Sequence, residues 1–98
     1  MNLKVLLKEL EAQDKDYSLK PSLAIAMERT DCEIKNINAI IQDIFSEFSD
    51  KKLIDIKEAI RQGSFGKYGI TYKLTTQVIC FWINQYLKEK YKTNQDRL

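Results

Sequence analysis

The stretch TYKLTTQVICFWINQYLKEKY, residues 71–91, decides the fold class, because its composition fits either a strand or a helix. Its first half is rich in β-branched and aromatic residues, which favour a strand. Strand alternation nevertheless fails at 78–83, where six consecutive residues are apolar or cysteine. Helical spacing instead gathers one apolar stripe, formed by Leu74, Val78, Ile79, Trp82, Ile83, Tyr86 and Leu87. We therefore predict a helix that has Thr75 as its cap, extends to near Tyr91 and buries Trp82.

A second apolar stripe lies between residues 34 and 48 and follows the same helical period. Its seven large apolar side chains are Ile34, Ile37, Ile40, Ile41, Ile44, Phe45 and Phe48. Thr30 and Glu33 match a capping box, so the helix is expected to begin there. Seven large apolar residues exceed what one short neighbour covers, and uncovered patches of this kind recruit partners. We therefore predict a homo-oligomer, a dimer, with this helix as a seam.

The N-terminal third is predicted to contain two short helical segments. Residues 3–13 place four leucines at helical spacing, which are Leu3, Leu6, Leu7 and Leu10. The polar stretch 13–20 follows as a predicted loop. Pro21 then suits the first position of a second helix, because its missing N–H has no intrahelical partner there. The good helix formers of SLAIAMER continue this helix.

The region between residues 49 and 73 is predicted to hold a helix followed by an irregular turn region. The Ser-Asp pair at 49–50 is expected to cap the helix, and Gly63 is expected to end it as a C-terminal glycine. The acids Asp55 and Glu58 lie one turn apart without a histidine partner, so we interpret them as a solvated face. Turn chemistry explains the glycines of the run GSFGKYG that follows.

These segments together predict a single all-α domain, residues 1–98, built as a bundle of four to five helices with a helix-turn-helix-like C-terminal half. Residues 1–49 form its acidic half and residues 50–92 its basic half, followed by a frayed tail at 93–98. The first 50 residues carry six basic and ten acidic side chains, whereas the remaining 48 carry ten basic and four acidic ones. Such asymmetry indicates a nucleic-acid or membrane contact on the basic side, or simply helix surfaces that carry lysine.

The residue types that are missing exclude much chemistry. The chain has no histidine, so it has no histidine general base, no Ser-His-Asp triad and no His-containing zinc site. Cys32 and Cys80 stand far apart without a CxxC motif, and their apolar surroundings favour two small buried hydrophobes. The glycine-rich run matches neither a dinucleotide-binding fingerprint nor a P-loop. We therefore expect no enzyme, no metal and no cofactor.

The sequence also predicts a cytoplasmic protein without a membrane partner. No apolar run approaches the ~20 residues of a membrane span. The charged N-terminal segment lacks the small-residue cleavage site of a secretory signal. Cys32 and Cys80 could form one disulfide, but in such a chain two reduced, buried cysteines are expected.

The C-terminal half has the order of a helix-turn-helix, in which a cap and an inward apolar stripe position a second helix. The run LTTQVICFWINQYL, residues 74–87, is similar to the recognition segment of helix-turn-helix domains in transposases. It is also similar to small replication-associated proteins of phages and other mobile elements. The upstream run IKEAIRQGSFGKYG resembles the preceding helix and turn of those domains. The resemblance implies DNA binding, with contact positions at Gln77, Asn84 and Gln85.

The candidate DNA-binding residues come from the turn and from the outward side of the last helix: Lys67, Lys73, Thr76, Gln77, Phe81, Asn84, Gln85 and Lys88. Lysines serve phosphates and amides suit base edges, whereas Phe81 suits stacking on a base or docking on a protein equally well. The sequence thus predicts a non-enzymatic DNA-binding accessory protein of a phage or mobile element. The alternative is a helical protein–protein adaptor that binds no nucleic acid and uses Phe81 or the isoleucine-rich helix.

Overall fold

The computed structural model describes the backbone of residues 4–96 and the side chains of residues 4–92. This part of the chain holds a short 3₁₀ helix at Leu7–Glu9 and four α-helices, which are α1 (Ala12–Thr30), α2 (Ile37–Glu47), α3 (Leu53–Ser64) and α4 (Thr76–Asp96). No strand occurs within residues 4–96, where one isolated bridge joins Leu6 to Lys52. The all-α prediction is confirmed, and the ambiguous stretch 71–91 is helical from Thr76 onward.

The four helices form a bundle in which each helix packs mainly against two others. α3 contacts α1 and α4, and α2 contacts the same two helices. The central core takes apolar side chains from every helix, and its fully buried members include Leu19, Leu23, Ile44, Ile56, Ile60, Ile79 and Ile83. Burial of this contiguous core is the main favourable term in folding. Within the described residues, no helix has both the length and the apolar character needed to cross a membrane.

The apolar stripe of α4 packs as predicted. Ile79, Trp82 and Ile83 of α4 are buried, as is Leu74 immediately before the helix. The remaining predicted members, Val78, Tyr86 and Leu87, are partly buried against the same core. Thr75 caps the helix, because its hydroxyl accepts a hydrogen bond from the N–H of Val78 at 3.3 Å. The helix continues through Asp96, so it includes most of the tail that was expected to fray. Arg97 and Leu98 lie outside the described residues.

Gly63 lies inside α3 rather than after it, so the prediction that it ends this helix is wrong. α3 continues through Ser64 and has Phe65 as its C-cap residue. A Cβ built on Gly63 would lie 2.0 Å from Cδ2 of Trp82, so the indole occupies the space where a side chain would stand. The glycine is therefore required by the close approach of α4 to the backbone of α3.

The N-terminal segment pairs with the α2–α3 connection instead of forming the predicted helix over 3–13. The N–H of Leu7 donates to the carbonyl of Lys51 at 2.9 Å. The side chain of Leu7 is fully buried in the core, as its place in the apolar stripe predicts. Leu3, the first residue of that stripe, lies outside the described residues.

The start of α3 is capped by backbone rather than by the predicted Ser-Asp pair at 49–50. Its N-cap residue is Lys52, whose side chain forms no capping hydrogen bond. The N–H of Leu53 instead donates to the carbonyl of Val5 at 2.9 Å. The N-terminal segment therefore satisfies one of the N–H groups that a helix N-terminus leaves unpaired.

The predicted loop at 13–20 is helical, and Pro21 lies inside α1 rather than in its first turn. A proline inside a helix removes one hydrogen bond and costs about 3 kcal/mol. Packing offsets this cost, because Leu19, Leu23 and Ala26 recur at helical spacing and are fully buried. The tertiary burial of a stripe that crosses the proline thus overrides the local preference of Pro21.

The capping box predicted at Thr30 and Glu33 does not form, because Thr30 ends α1 instead. The hydroxyl of Thr30 donates to a carbonyl of the preceding turn at 2.7 Å. Asp31 follows in the left-handed region with φ of 54°, which is a common conformation after a helix C-terminus. α2 begins only at Ile37, capped by the side chain of Asn36, which accepts a backbone N–H at 3.0 Å.

The apolar stripe of α2 is covered within the chain. Its buried members are Ile40, Ile41, Ile44, Phe45 and Phe48. Ile34 and Ile37 are partly buried against the same core. One chain therefore accounts for the apolar surface that motivated a dimer seam on this helix. Self-association stays a prediction, but the structure removes the reason for placing it on α2.

Candidate binding surface

The α3–α4 loop, residues 65–75, and the outer side of α4 together form an exposed surface that contains half of the predicted site residues. We call it the loop–α4 surface, and it consists of Ile70, Tyr72, Lys73, Gln77, Phe81 and Lys88. Ile70 and Tyr72 are 81% and 82% exposed, and Phe81 is 48% exposed. These three side chains lie around a shallow cavity of about 370 Å³. The surface thus leaves three large apolar side chains around one cavity exposed to water.

Glycines and buried anchors give the loop its path. Gly66 and Gly69 adopt φ of 88° and 120°, which other residues rarely adopt. Leu74 is buried at the end of the loop, immediately before α4. The carbonyl of Thr71 accepts a hydrogen bond from the thiol of Cys32 at 3.7 Å. These contacts hold the loop against the bundle while the apolar side chains between them remain exposed.

The structure places the eight predicted site residues in different environments. Five of them are exposed and have no described polar partner, namely Lys73, Gln77, Phe81, Asn84 and Lys88. Gln85 is partly buried. Thr76 and Lys67 are bound by acidic side chains. The exposed group therefore supplies the side chains that are free to meet a ligand.

An acidic edge borders α4 on the side of α2. The hydroxyl of Thr76 donates to Oδ2 of Asp43 at 2.8 Å. The cavity beside this contact is lined by Asp43, Ser46, Glu47, Thr76, Cys80 and Asn84. Burial raises the pKa of the Cys80 thiol, and the carboxylates of Glu47 and Asp43 raise it further. Asn84 thus lies among carboxylates, which oppose a phosphate contact at this edge.

Lys67, one of the predicted phosphate contacts, is paired with an acidic side chain. Its Nζ lies 3.1 Å from Oε2 of Glu89 and donates to Oε1 of Gln62 at 2.9 Å. The hydrogen bond with Glu89 raises the pKa of Lys67, so the ammonium group keeps its charge further into the alkaline range. A phosphate would have to compete with Glu89 for this lysine.

A second basic surface, which the sequence does not predict, lies between α1 and α3. The guanidinium of Arg29 lies 4.1 Å from the ring centroid of Phe65, and that of Arg61 lies 5.2 Å from it. Arg29 also donates to Oγ of Ser64 at 3.0 Å, across 35 positions of sequence. No periodicity or motif joins residues at that separation, so the sequence offers no signal for this cluster.

Asp55 is buried, which corrects the prediction of a solvated acidic face. Its Oδ2 accepts a hydrogen bond from the hydroxyl of Tyr91 at 3.0 Å, and its Oδ1 is bound by Nζ of Lys90. These hydrogen bonds raise the pKa of Lys90 and the pKa of Tyr91. Because both oxygens are occupied by the protein, we interpret Asp55 as a structural link between α3 and α4.

Neither metal chemistry nor similarity to other proteins identifies a function. Among residues 4–92, no group of three or more cysteine and acidic side chains is arranged to hold a metal ion. No family model, no curated protein and no solved structure matches the chain. What the protein binds must therefore be inferred from its own surfaces.

Proposed function

We propose that this protein is a non-enzymatic accessory protein that binds nucleic acid through the loop–α4 surface, with single-stranded DNA as the preferred form. The observation that carries the proposal is the exposure of two aromatic rings, Tyr72 and Phe81, on the same surface as Lys73 and Lys88. Proteins that bind single strands combine rings on which bases stack with cations that follow the phosphates. The resemblance to proteins of phages and mobile elements supports a role in their replication or regulation.

The aromatic rings gain most from such a ligand. Tyr72 is 82% exposed, so its ring contributes little apolar burial to folding. Stacking on a base removes ring surface from water and leaves the hydroxyl solvated. Phe81 has no polar group, and the cavity beside its ring is lined mainly by residues of the α3–α4 loop. A base that covers either ring therefore binds favourably without any rearrangement of the bundle.

The loop–α4 surface fits a single strand better than the major groove of a duplex. A helix-turn-helix reaches the groove after a turn of about three or four residues. Here the connection spans residues 65–75 and carries exposed aromatic and aliphatic side chains. The carboxylates of Asp43 and Glu47 also border α4 and would repel a phosphate backbone beside the helix.

The test is a titration of fluorescein-labelled oligothymidylate followed by fluorescence anisotropy at low salt concentration. Tyr72→Ala and Phe81→Ala should each weaken binding by about 1–3 kcal/mol, because each removes one stacking platform. Tyr17→Ala is the matched control, since Tyr17 is a similarly exposed tyrosine on α1. The proposal fails if the parent protein does not bind, or if the control loses as much affinity as the two variants.

Charge reversal tests the lysines separately. Lys73→Glu and Lys88→Glu should weaken binding to every sequence and flatten its salt dependence, because each lost phosphate contact removes about 0.7 released counterions from a single strand. Lys35→Glu is the control, because Lys35 is exposed in the α1–α2 connection. A salt slope that stays unchanged in the two variants would exclude these lysines from the contact.

A duplex titrated in parallel decides between the two forms of DNA. If a duplex binds more tightly than oligothymidylate, and if Gln77→Ala and Gln85→Ala relax its sequence discrimination, recognition is of the helix-turn-helix type. Each good bidentate base contact is worth about 1–3 kcal/mol of discrimination. We expect the opposite order, with the single strand bound more tightly and both glutamine variants nearly unchanged.

A protein–protein adaptor is the second candidate, and one part of the loop favours it. Ile70 is 81% exposed, and an aliphatic side chain gains more from burial in a protein than from a base. The N–H groups of residues 70–74 donate no hydrogen bond to a described residue, as in edges that accept a partner strand. Ile70→Ser should leave oligothymidylate binding within about twofold under the nucleic-acid proposal. No DNA binding by the parent protein would favour the adaptor.

A further inference from the structure

A groove of about 330 Å³ runs between α1 and α3. We call it the α1–α3 groove, and its lining residues are Pro21, Ser22, Ile25, Arg29, Ile54, Lys57, Glu58 and Arg61. It shares no residue with the loop–α4 surface, so its ligand does not depend on the function proposed above. Phe65 lies beside the groove, under the guanidinium groups of two arginines.

Arg29 is held in place but has no acidic partner among the side chains of residues 4–92. Its Nη1 donates to Oγ of Ser64 at 3.0 Å, and this buried serine donates in turn to the carbonyl of Arg61 at 2.7 Å. The guanidinium also lies over the ring of Phe65, 4.1 Å from its centroid. None of the described ion pairs includes Arg29. The other N–H donors of this planar group are therefore available to an anionic ligand.

The α1–α3 groove carries more positive than negative charge. Lys57 and Arg61 line it together with Arg29, whereas Glu58 is the one acid among the lining residues. Arg61 forms an exposed ion pair with Glu58 at 3.2 Å, which compensates one of the three cations. Lys57 donates to the carbonyl of Ser18 at 2.9 Å, a neutral partner that leaves its charge uncompensated. The lining therefore attracts an anionic ligand.

Two isoleucines give the same groove an apolar component. Ile25 of α1 and Ile54 of α3 are among the large apolar side chains that remain exposed, and both line the groove. A bare phosphate or a nucleic-acid backbone would leave this apolar surface in water. A helix with aliphatic residues on one face and acidic residues along its rim would cover both components.

We infer that the α1–α3 groove binds an acidic amphipathic helix of a protein partner. Carboxylates of that helix bind the fixed guanidinium of Arg29 and the ammonium of Lys57. Its aliphatic side chains pack on Ile25 and Ile54. Charge complementarity and the exposed isoleucines together select this occupant, because neither a basic peptide nor a purely polar anion satisfies both features.

The experiment uses the full chain and a short synthetic peptide with capped ends, with leucines at helical spacing and glutamates at the other positions. Binding is followed by an NMR titration of the ¹⁵N-labelled protein, and the amide signals of Ile25 and Ile54 should shift. Arg29→Gln should weaken affinity at least tenfold. Arg29→Lys should recover little of it, because an ammonium keeps the charge but loses the planar donor geometry. Lys88→Gln, on the loop–α4 surface, is the matched control and should bind as the parent protein does.

Four results would overturn the inference. The first is the absence of shifts at the groove with millimolar peptide. The second is equal binding of a peptide that has glutamine in place of every glutamate. The third is tighter binding of oligothymidylate or inorganic polyphosphate at the same residues, which would make the groove a phosphate site. The fourth is normal peptide binding by Arg29→Gln, whose folding is checked by its melting temperature because Arg29 is exposed.

Discussion

Gly63 and Trp82 determine how closely α3 and α4 approach each other. The indole lies on the backbone of α3 at the position where any larger residue would place its Cβ. Trp82 is itself almost completely buried, so its ring fills the space between the two helices. Protein interiors are so closely packed that a single added methyl group lowers their stability. We therefore expect the two residues to be energetically coupled.

Gly63→Ala should lower the free energy of unfolding by about 1–3 kcal/mol, because the added methyl group overlaps the indole and overpacks the contact. Trp82→Ala should cost about 3–5 kcal/mol through the loss of a large buried ring. The double variant should be less destabilised than the sum of the two, because removing the indole also removes the overlap. Urea unfolding followed by circular dichroism measures all three variants. Strictly additive costs would contradict the direct contact.

The sequence predicts the burial of Trp82 but not the role of Gly63. Spacing along one helix identifies the side of that helix that faces the core, and Trp82 lies on it. The partner of the indole lies on another helix, and a glycine near a helix end has a commoner explanation as a cap. Asp55 escapes prediction for the same reason, since Lys90 and Tyr91 lie 35 and 36 positions away. A contact between two helices produces no periodic pattern in the sequence of either helix, so it cannot be predicted from spacing.

At the scale of elements, local signals predict the helices whose caps and stripes coincide. α4 begins after Thr75 as predicted, because its cap and its apolar stripe belong to the same segment. The sequence predicts only the second half of α1, because a proline such as Pro21 is typical of the first position of a helix. The spacing of Leu19, Leu23 and Ala26 across the proline is the signal that would have identified the longer helix. The apolar spacing predicts the helix bounds better than the proline does wherever the free energy gained by burial exceeds the cost of a proline inside the helix.

In the contact of α3 with α4 through Asp55, removing the cation should destabilise the protein more than removing the carboxylate charge. Lys90→Met leaves a buried carboxylate without its cation, and we expect a loss of about 1–3 kcal/mol in the free energy of unfolding. Asp55→Asn should cost less, about 1 kcal/mol, because the partly exposed ammonium of Lys90 can rehydrate. Urea unfolding followed by tryptophan fluorescence measures both, with the exposed Lys92→Met as control. A Lys90→Met variant as stable as the control would refute the asymmetry.

At the scale of the whole molecule, the charge asymmetry along the sequence does not become an asymmetry between two faces. Lys90 of the basic half is compensated by Asp55 of the same half. Asp43 of the acidic half borders α4, and Arg29 of the acidic half lines the α1–α3 groove. The count of charges along the chain therefore indicates that the protein has basic surface. Its position depends on how the four helices pack. The two basic surfaces, the loop–α4 surface and the α1–α3 groove, each combine residues from different elements.

The stability of the folded chain should decrease at alkaline pH. Hydrogen bonds with buried Asp55 raise the pKa of Lys90 and the pKa of Tyr91. The unfolded chain releases these protons near the ordinary pKa values of about 10–10.5, whereas the folded protein holds them to higher pH. The folded state then binds more protons than the unfolded state in this range. The contribution to stability is therefore complete at neutral pH and decreases as the pH rises above about 10.

Urea unfolding of the parent protein and of a Lys90→Met/Tyr91→Phe double variant between neutral pH and pH 11 measures this contribution. The double variant starts from a lower stability and should lose less of it as the pH rises. It lacks the ammonium of Lys90 and the hydroxyl of Tyr91, whose protons the Asp55 carboxylate stabilises in the parent protein. It should not become independent of pH, since burial also raises the pKa of Tyr68 and the pKa of Tyr86. If the free energies of unfolding of the two proteins fell in parallel with pH, Asp55 would stabilise neither the proton of Lys90 nor that of Tyr91. The alkaline decrease would then belong to the other groups whose pKa is raised, which are Lys67, Tyr68, Cys80 and Tyr86, rather than to the contact that joins α3 to α4.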